Sequence, residues 1–415
     1  MSLLNIFSSA LLTSCLLLPS SEIRAAENCS VAGKTCKDLQ PLLMNIPAEY
    51  PVLKQVLAEP DKYQVQIIYT PVTFTADNQP RLTEYYYRVD NSRYFYPAST
   101  VKLVVSLLAL EWLQEQNLPT LDRNTVMLTD SARPEQTAAH QDLTAENNLP
   151  SVAHYIKKIL LVSDNDGYNR LYELMGQDYI NQKLQEKGLT SSLINHRLSV
   201  PFTDEQNRHV NPVRFIDNSG KLIKALPART SSTWYRNAQQ PVLGKAYYSQ
   251  GKLIEQPMDF SLKNRLALTD LDGVVKRVIF PQLYPELQRF KLSPEDREFI
   301  LTYMSMLPPQ SHYPAYDPAI YPENYSKYLL FGGEARTLPD NIRIYNKTGS
   351  AYGHVLDGAY IQDQQNQITF FLSAIIYVNE NQILNDDTYQ LDETGLPFMQ
   401  QLGQYLYQYQ LQTKQ

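Results

Sequence analysis

Tyr94-Phe95-Tyr96-Pro97-Ala98-Ser99-Thr100-Val101-Lys102 runs from an aromatic, proline-containing loop into an apolar stretch that continues to Gln116 through Leu103, Val104, Val105, Leu107, Leu108, Leu110, Trp112 and Leu113. The pattern predicts a helix that begins at Ser99. At a helix N-terminus the unpaired amide N–H groups and the positive end of the dipole favour developing negative charge. Lys102 lies three residues on, so it shares a helix face with Ser99. The helix start and burial both disfavour an ammonium ion. A lysine so placed can take the serine proton, which a free hydroxyl needs to lose before it is a useful nucleophile.

Two further short motifs follow in order. Ser163-Asp164-Asn165 comes after an amphipathic segment with Val152, Ala153, Ile156, Ile159, Leu160, Leu161 and Val162. At a break between helices, the Ser163 hydroxyl can relay a proton and the Asn165 amide can hold a substrate carbonyl or amide, while Asp164 braces the turn. The alternating run Asn341 to Tyr345 reads as a strand leading into Lys347-Thr348-Gly349-Ser350. Lys347 supplies a fixed cation, Thr348 a hydroxyl, and Gly349 a point of close backbone approach. An edge strand there can pair with an extended, peptide-like substrate. An S-x-x-K alone is a weak signal; the ordered set S-x-x-K, S-D-N, K-T-G is specific.

On these motifs the chain resembles the class A β-lactamase and penicillin-interacting serine hydrolase family. The resemblance implies a two-lobed α/β β-lactamase/transpeptidase-like fold: an antiparallel sheet flanked by helices, built from both chain ends, plus an all-helical lobe. It further implies an exported serine hydrolase that opens a β-lactam amide through a Ser99 acyl-enzyme. The alternatives are a penicillin-binding peptidase or esterase acting on cell-wall peptides, and a slowly deacylating β-lactam sensor or trap. Ser99 is then the nucleophile, Lys102 its proton acceptor and Ser163 a proton shuttle. Asn165, Lys347, Thr348 and Gly349 bind substrate, and the amides of Ser99 and Ser350 form the oxyanion hole. Asn169 matches a further asparagine of the class A pattern. The partner implied is a small β-lactam or a peptidoglycan-like peptide, met by a monomer with no cofactor.

The chain departs from class A in two respects. The interval from Ser163 to Lys347 is far longer. The glutamate that activates the deacylating water, followed by Leu-Asn in class A, has no counterpart at the family spacing. The corresponding segment, Asn195 to Glu205, offers only Asp204 and Glu205, with Asn207 and Asn211 beyond. Glu205 is the candidate base there.

The chain has 415 residues, 43% hydrophobic and 19% charged, with a net charge of −6. That is enough apolar material for a substantial core. Without a polybasic run, nucleic acid is not an expected partner. The six histidines are scattered, with no i, i+4 pair, which argues against a zinc hydrolase and leaves no metal site in the reading. Residues 1–26 read as a signal peptide: Leu3 to Leu18 is apolar, and Ala25 and Ala26 offer a cleavage site, so a periplasmic or secreted location is expected. Leu12-Thr13-Ser14-Cys15 resembles a lipobox, which would instead make Cys15 a lipid anchor. No segment is expected to span a membrane. Cys29 and Cys36 remain, either as a small disulfide loop or as two free thiols.

Residues 27–415 are thus read as one catalytic unit. The sheet lobe takes about 47–98 and 341–415, and the helical lobe about 99–340 with an insertion over about 198–339. Within the insertion, Asn218 to Lys224 and Ser249 to Glu255 echo each other as Gly-turn hairpins, either in one accessory sheet or as two unrelated ones. Phe260–Phe280 and Ser293–Met306 read as helices, the second opening with Ser293-Pro294-Glu295-Asp296. A loop rich in tyrosine and proline, with Tyr313, Tyr316, Tyr321, Tyr325 and Tyr328, precedes the last motif and is read as a cleft wall or a stiff surface loop.

Overall fold

The computed structural model describes residues 36–413. The expected signal segment, Cys15 and Cys29 therefore lie outside the described residues, whereas Cys36 is disulfide-bonded.

Seven strands form the main sheet: β1 (Lys37–Asp38), β2 (Gln66–Phe74), β3 (Pro80–Leu82), β4 (Tyr85–Tyr87), β5 (Ile342–Ala351), β6 (His354–Asp363) and β7 (Ile368–Tyr377). Their order is β1-β4-β2-β7-β6-β5, with β3 paired to β2. Every pairing is antiparallel except β1 with β4, so the expected antiparallel sheet is mixed at one edge. Alternate residues face opposite sides, and both sides are covered. Ile67, Tyr69, Phe370 and Leu372 pack under helices α1 (Pro51–Ala58) and α7 (Leu396–Thr413), which contribute Leu53, Val56, Phe398, Leu402 and Leu406. Ile68, Phe371 and Ile375 face the other way, toward α5 (Leu268–Ile279) with Leu271, Val274, Val275 and Val278. A buried ion cluster pins α5 to the sheet: Lys276 lies 2.6 Å from both Glu84 and Asp272 and donates to Thr70 at 3.0 Å. Removing one member of such a cluster strands a buried charge and costs about 3–5 kcal/mol.

The second lobe centres on α2 (Val101–Glu115), buried all round from Val101 to Leu113 as its predominantly apolar sequence requires, with Lys102, Ser106 and Glu111 buried among the apolar side chains. Around it pack α3 (Val152–Val162), α4 (Asn165–Glu186, bent at Gly176) and α6 (Pro294–Ser305), the last capped by Ser293 as its sequence predicts. The lobe is not all-helical. Strands Val126–Thr129, Val213–Ile216 and Leu222–Leu226 make one small sheet, and Lys252–Ile254, Ala246–Ser249 and Ile383–Leu384 make another. The two echoing hairpins thus belong to separate sheets, each completed by a different distant strand. The helix expected over Phe260–Phe280 is confined to α5. Arg265–Leu266 before it is extended and pairs with Ser192–Leu193, which binds the backbone a helix would have used.

Candidate active site

The chain enters the site through a tight turn. Ala98 has φ = +47°, a left-handed conformation that costs a non-glycine residue roughly 1–3 kcal/mol and is tolerated where function requires a sharp change of direction. Ala98–Thr100 form one 3₁₀ turn that runs directly into α2. Ser99 therefore stands at the helix start, half-buried, as its sequence context predicts.

Lys102 is fully buried one turn on and makes four contacts. Its Nζ lies 2.8 Å from Ser99 Oγ, 2.5 Å from the Ser163 carbonyl oxygen, 3.2 Å from Ser163 Oγ and 2.7 Å from Asn165 Oδ1. Burial, aided by the positive charge of Lys347, holds this amine well below its ordinary protonation range. A neutral amine has two N–H bonds and one lone pair. The Ser163 carbonyl and Asn165 Oδ1 accept the two N–H bonds, which leaves the lone pair for the Ser99 hydroxyl. Lys102 is thereby held as a base on the nucleophile's proton.

Ser163 caps α3 in the left-handed region (φ +60°, ψ +38°), and Asp164 caps α4 by accepting the Gly167 N–H at 2.6 Å. That pair of caps turns Ser163 Oγ toward Lys347 Nζ, 2.9 Å away. Ser163 Oγ thus bridges the two lysines, the position a proton shuttle needs. Lys347, buried on β5, is held down to about 7, chiefly by burial, with Asp357 opposing and Lys327 adding to the shift. Gly349 closes the arrangement. A Cβ at that position would sit 2.9 Å from Pro97 O, 2.9 Å from Ser99 N and 3.1 Å from Thr100 N, so only glycine lets β5 lie against the Ser99 turn. This contact sets β5 against the Ser99 turn, with Ser350 the next residue along the strand. All three motifs converge: Ser99, Lys102, Ser163, Asn165 and Lys347 are joined by direct contacts, and Gly349 lies against the Ser99 turn.

Leu198 and Ser199 beside the site, and Arg197 behind them, carried no clear sequence signal. Asn169 clasps the backbone of Leu198, accepting its N–H at 2.8 Å and donating to its carbonyl at 3.0 Å. Asn165 Nδ2 donates to Ser199 Oγ at 2.9 Å. Leu198-Ser199 is thus fastened to the same asparagine that holds Lys102. Arg197, next in line, is buried against Glu173 at 2.8 Å and fixes the segment to α4. Glu205 is elsewhere: it lies in a one-turn helix, Asp204–Arg208, exposed, with its carboxylate paired to Arg208 at 2.7 Å and His209 at 3.0 Å. Asn207 and Asn211 are spent on backbone contacts. Among the described residues no carboxylate hydrogen-bonds to Ser99, Lys102 or Ser163, and no cluster of His, Cys, Asp or Glu could hold a metal. No helix among them is long and apolar enough to cross a membrane.

The tyrosine-rich loop is a clamp between the lobes. Ser326 Oγ donates to Leu161 O of α3 at 3.0 Å, and Asn346 Nδ2 of β5 donates to Ser326 O at 2.9 Å. Tyr316, Tyr321 and Tyr325 stack edge to face beside it.

Residues 53–252 match the sequence model of the β-lactamase enzyme family. Among curated proteins none matches the sequence. Solved structures with a similar fold include a β-lactamase from Sphaerobacter thermophilus (14% identity, 87% of this chain and 97% of that one, TM-score 0.46) and PBP-A (16%, 90% and 98%, 0.48). A third is the β-lactamase from Streptomyces albus G (12%, 85% and 98%, 0.47). The matched region holds S-x-x-K and S-D-N, and the fold supplies K-T-G from beyond it. The likeness to the β-lactamase enzyme family is thus carried by residues 53–252, and the three motifs meet in one site.

Proposed function

We propose that the protein is a penicillin-binding peptidase-type hydrolase. Ser99 is acylated by β-lactams and by cell-wall peptide amides, and the β-lactam adduct is released slowly. Ser99 Oγ attacks the amide carbonyl as Lys102 takes its proton, and the oxyanion forms against the amides of Ser99 and Ser350. The proton passes through Ser163 to the leaving nitrogen, while Lys347 and Thr348 hold the substrate carboxylate.

One observation carries the slow release. The segment that Asn165 joins to Lys102 is Leu198-Ser199, and neither side chain can act as a strong base toward water. A positioned general base contributes typically 10²–10⁴-fold, so deacylation without one is slow. Rapid β-lactam hydrolysis is the competing reading. Action outside the cytoplasm belongs to the same proposal, supported by the apolar N-terminal segment.

Intact-protein mass spectrometry after addition of benzylpenicillin, followed over time, tests the reading. A single adduct that persists for many minutes and is absent from Ser99→Ala is expected. An adduct that forms and vanishes within seconds, with bulk penicillin consumed, would make the protein a β-lactamase and overturn the slow-release reading.

A further inference from the structure

Lys327 belongs to the inserted loop and is fully buried, yet its ammonium has a complete set of partners. It donates to Met304 O at 2.7 Å, Ile344 O at 3.0 Å and Asn346 Oδ1 at 2.8 Å. Asn346 passes the contact on, donating to both carboxylate oxygens of Asp357 at 2.9 and 3.0 Å. Asp357, also fully buried, accepts the Leu329 N–H at 3.1 Å. Asn346 immediately precedes Lys347 on β5, and Asp357 lies opposite Thr348 on β6. A lysine, an amide and a carboxylate thus form a chain directly behind the cation that meets the substrate.

The charges here do not balance. Lys347 is faced by Lys102 from α2, Lys327 from the loop and Asp357 from β6; Asp164 acts on Lys102, and Tyr328 meets Thr348. Two buried lysines, Lys327 and Lys347, thus act on one buried carboxylate, Asp357. Burial holds Lys327 and Lys347 each down to about 7 and raises Asp357 to about 6. Each cation opposes protonation of the other, and Asp357 favours both.

We propose that Lys327 is a positioning residue of the carboxylate-binding half of the site: it fixes the Asn346–Asp357 pair and leaves the cluster around Lys347 short of negative charge, so that an anionic substrate is bound together with a proton. The proposal rests on the acyl-enzyme reading above and adds that Lys327 sets the pH range over which the substrate carboxylate is favoured. At low pH Lys347 is charged and attracts the carboxylate. As pH rises through about 7 the free enzyme loses that charge, and with it the advantage of an anionic over a neutral substrate.

The test compares second-order acylation of Ser99 by benzylpenicillin and by its uncharged methyl ester from pH 5.5 to 9. Formation of the adduct tests the acyl-enzyme reading, and the ratio of the two rates as a function of pH tests Lys327. In the wild type the preference for the free acid should fall with a midpoint near 7. Lys327→Met removes a cation beside Lys347, so the midpoint should rise by about one unit, which is up to ~10-fold more preference for the acid at pH 8. Lys327→Arg keeps the cation and should move it no higher than wild type. Asp357→Asn removes the favourable carboxylate and should move it down. A merely structural Lys327 would slow both compounds alike at every pH. A pH-independent preference in the wild type overturns the proposal without any variant, and so does an unshifted midpoint in a Lys327→Met protein with native circular dichroism.

Discussion

Replacing Gly349 with alanine would put a methyl carbon 2.9 Å from the Ser99 amide nitrogen and 2.9 Å from the Pro97 carbonyl oxygen. Both are backbone atoms, so no rotamer change relieves the contact. Strand β5 and the Ser99 turn must part by roughly half an ångström to reach ordinary van der Waals distance, and overpacking of this kind costs about 1–3 kcal/mol. The catalytic consequence is larger than the stability one, because the amide that moves is an oxyanion donor. Losing such a donor outright costs about 10²–10³ in rate. Displacing it should cost part of that, roughly 10- to 100-fold, or about 1.4–2.7 kcal/mol of transition-state stabilisation. Stopped-flow acylation with a fluorescent penicillin, alongside thermal unfolding, measures both. The loss should be equal for a free acid and its ester, since the fault lies at the reacting carbonyl. Lys347→Ala, by contrast, should penalise the acid more than the ester. Acylation by Gly349→Ala within twofold of wild type would refute the claim that this contact positions the Ser99 amide.

Lys102→Ala should abolish adduct formation at every benzylpenicillin concentration, because no other group holds the Ser99 proton; saturable acylation would show a second base. Leu198→Glu grafts a carboxylate into the segment that Asn165 ties to Lys102 and should shorten the penicillin adduct's lifetime at least tenfold in chase experiments, whereas Glu205→Gln should leave it unchanged. A Glu205→Gln variant with a prolonged adduct would return that residue to the mechanism. Acid stability gives an independent check. Burial holds His196 and His354 down to about 3. The unfolded chain protonates each histidine below about 6.5 while the folded chain stays neutral. Stability should therefore be lost as pH falls from about 6.5 toward 3, by roughly 1.4 kcal/mol per pH unit for each. His354→Leu should make the decline of the urea midpoint between pH 6 and 4 shallower, and an unaltered slope would exclude His354 as a contributor.

The position of Glu205 illustrates where reading along the chain fails. Chain order offers a carboxylate, Glu205, after S-D-N as the candidate deacylating base. In space Glu205 caps a surface turn with Arg208 and His209, and the residue fastened beside Asn165 is Ser199. The hairpin echo left two arrangements open for a similar reason, since local turn chemistry specifies a hairpin but not the third strand it joins. Asp357 left a faint trace, an acid within the otherwise apolar run of β6. Lys327 left none, because a lysine in a polar, proline-rich loop looks solvated until the loop folds inward.

The sequence alone determined the catalytic constellation and the elements that carry it. Helix periodicity, caps and alternation are local properties, and they set Ser99 at a helix start, Lys102 one turn on, Ser163 at a helix break and Lys347 on a strand. Tertiary structure decided everything that depends on which distant segments meet. It selected Leu198-Ser199 to face the site, routed the inserted loop between α3 and β5, and buried Lys102, Lys327 and Lys347. Burial sets the charge state of those lysines, and burial is a property of packing that no single stretch of chain contains.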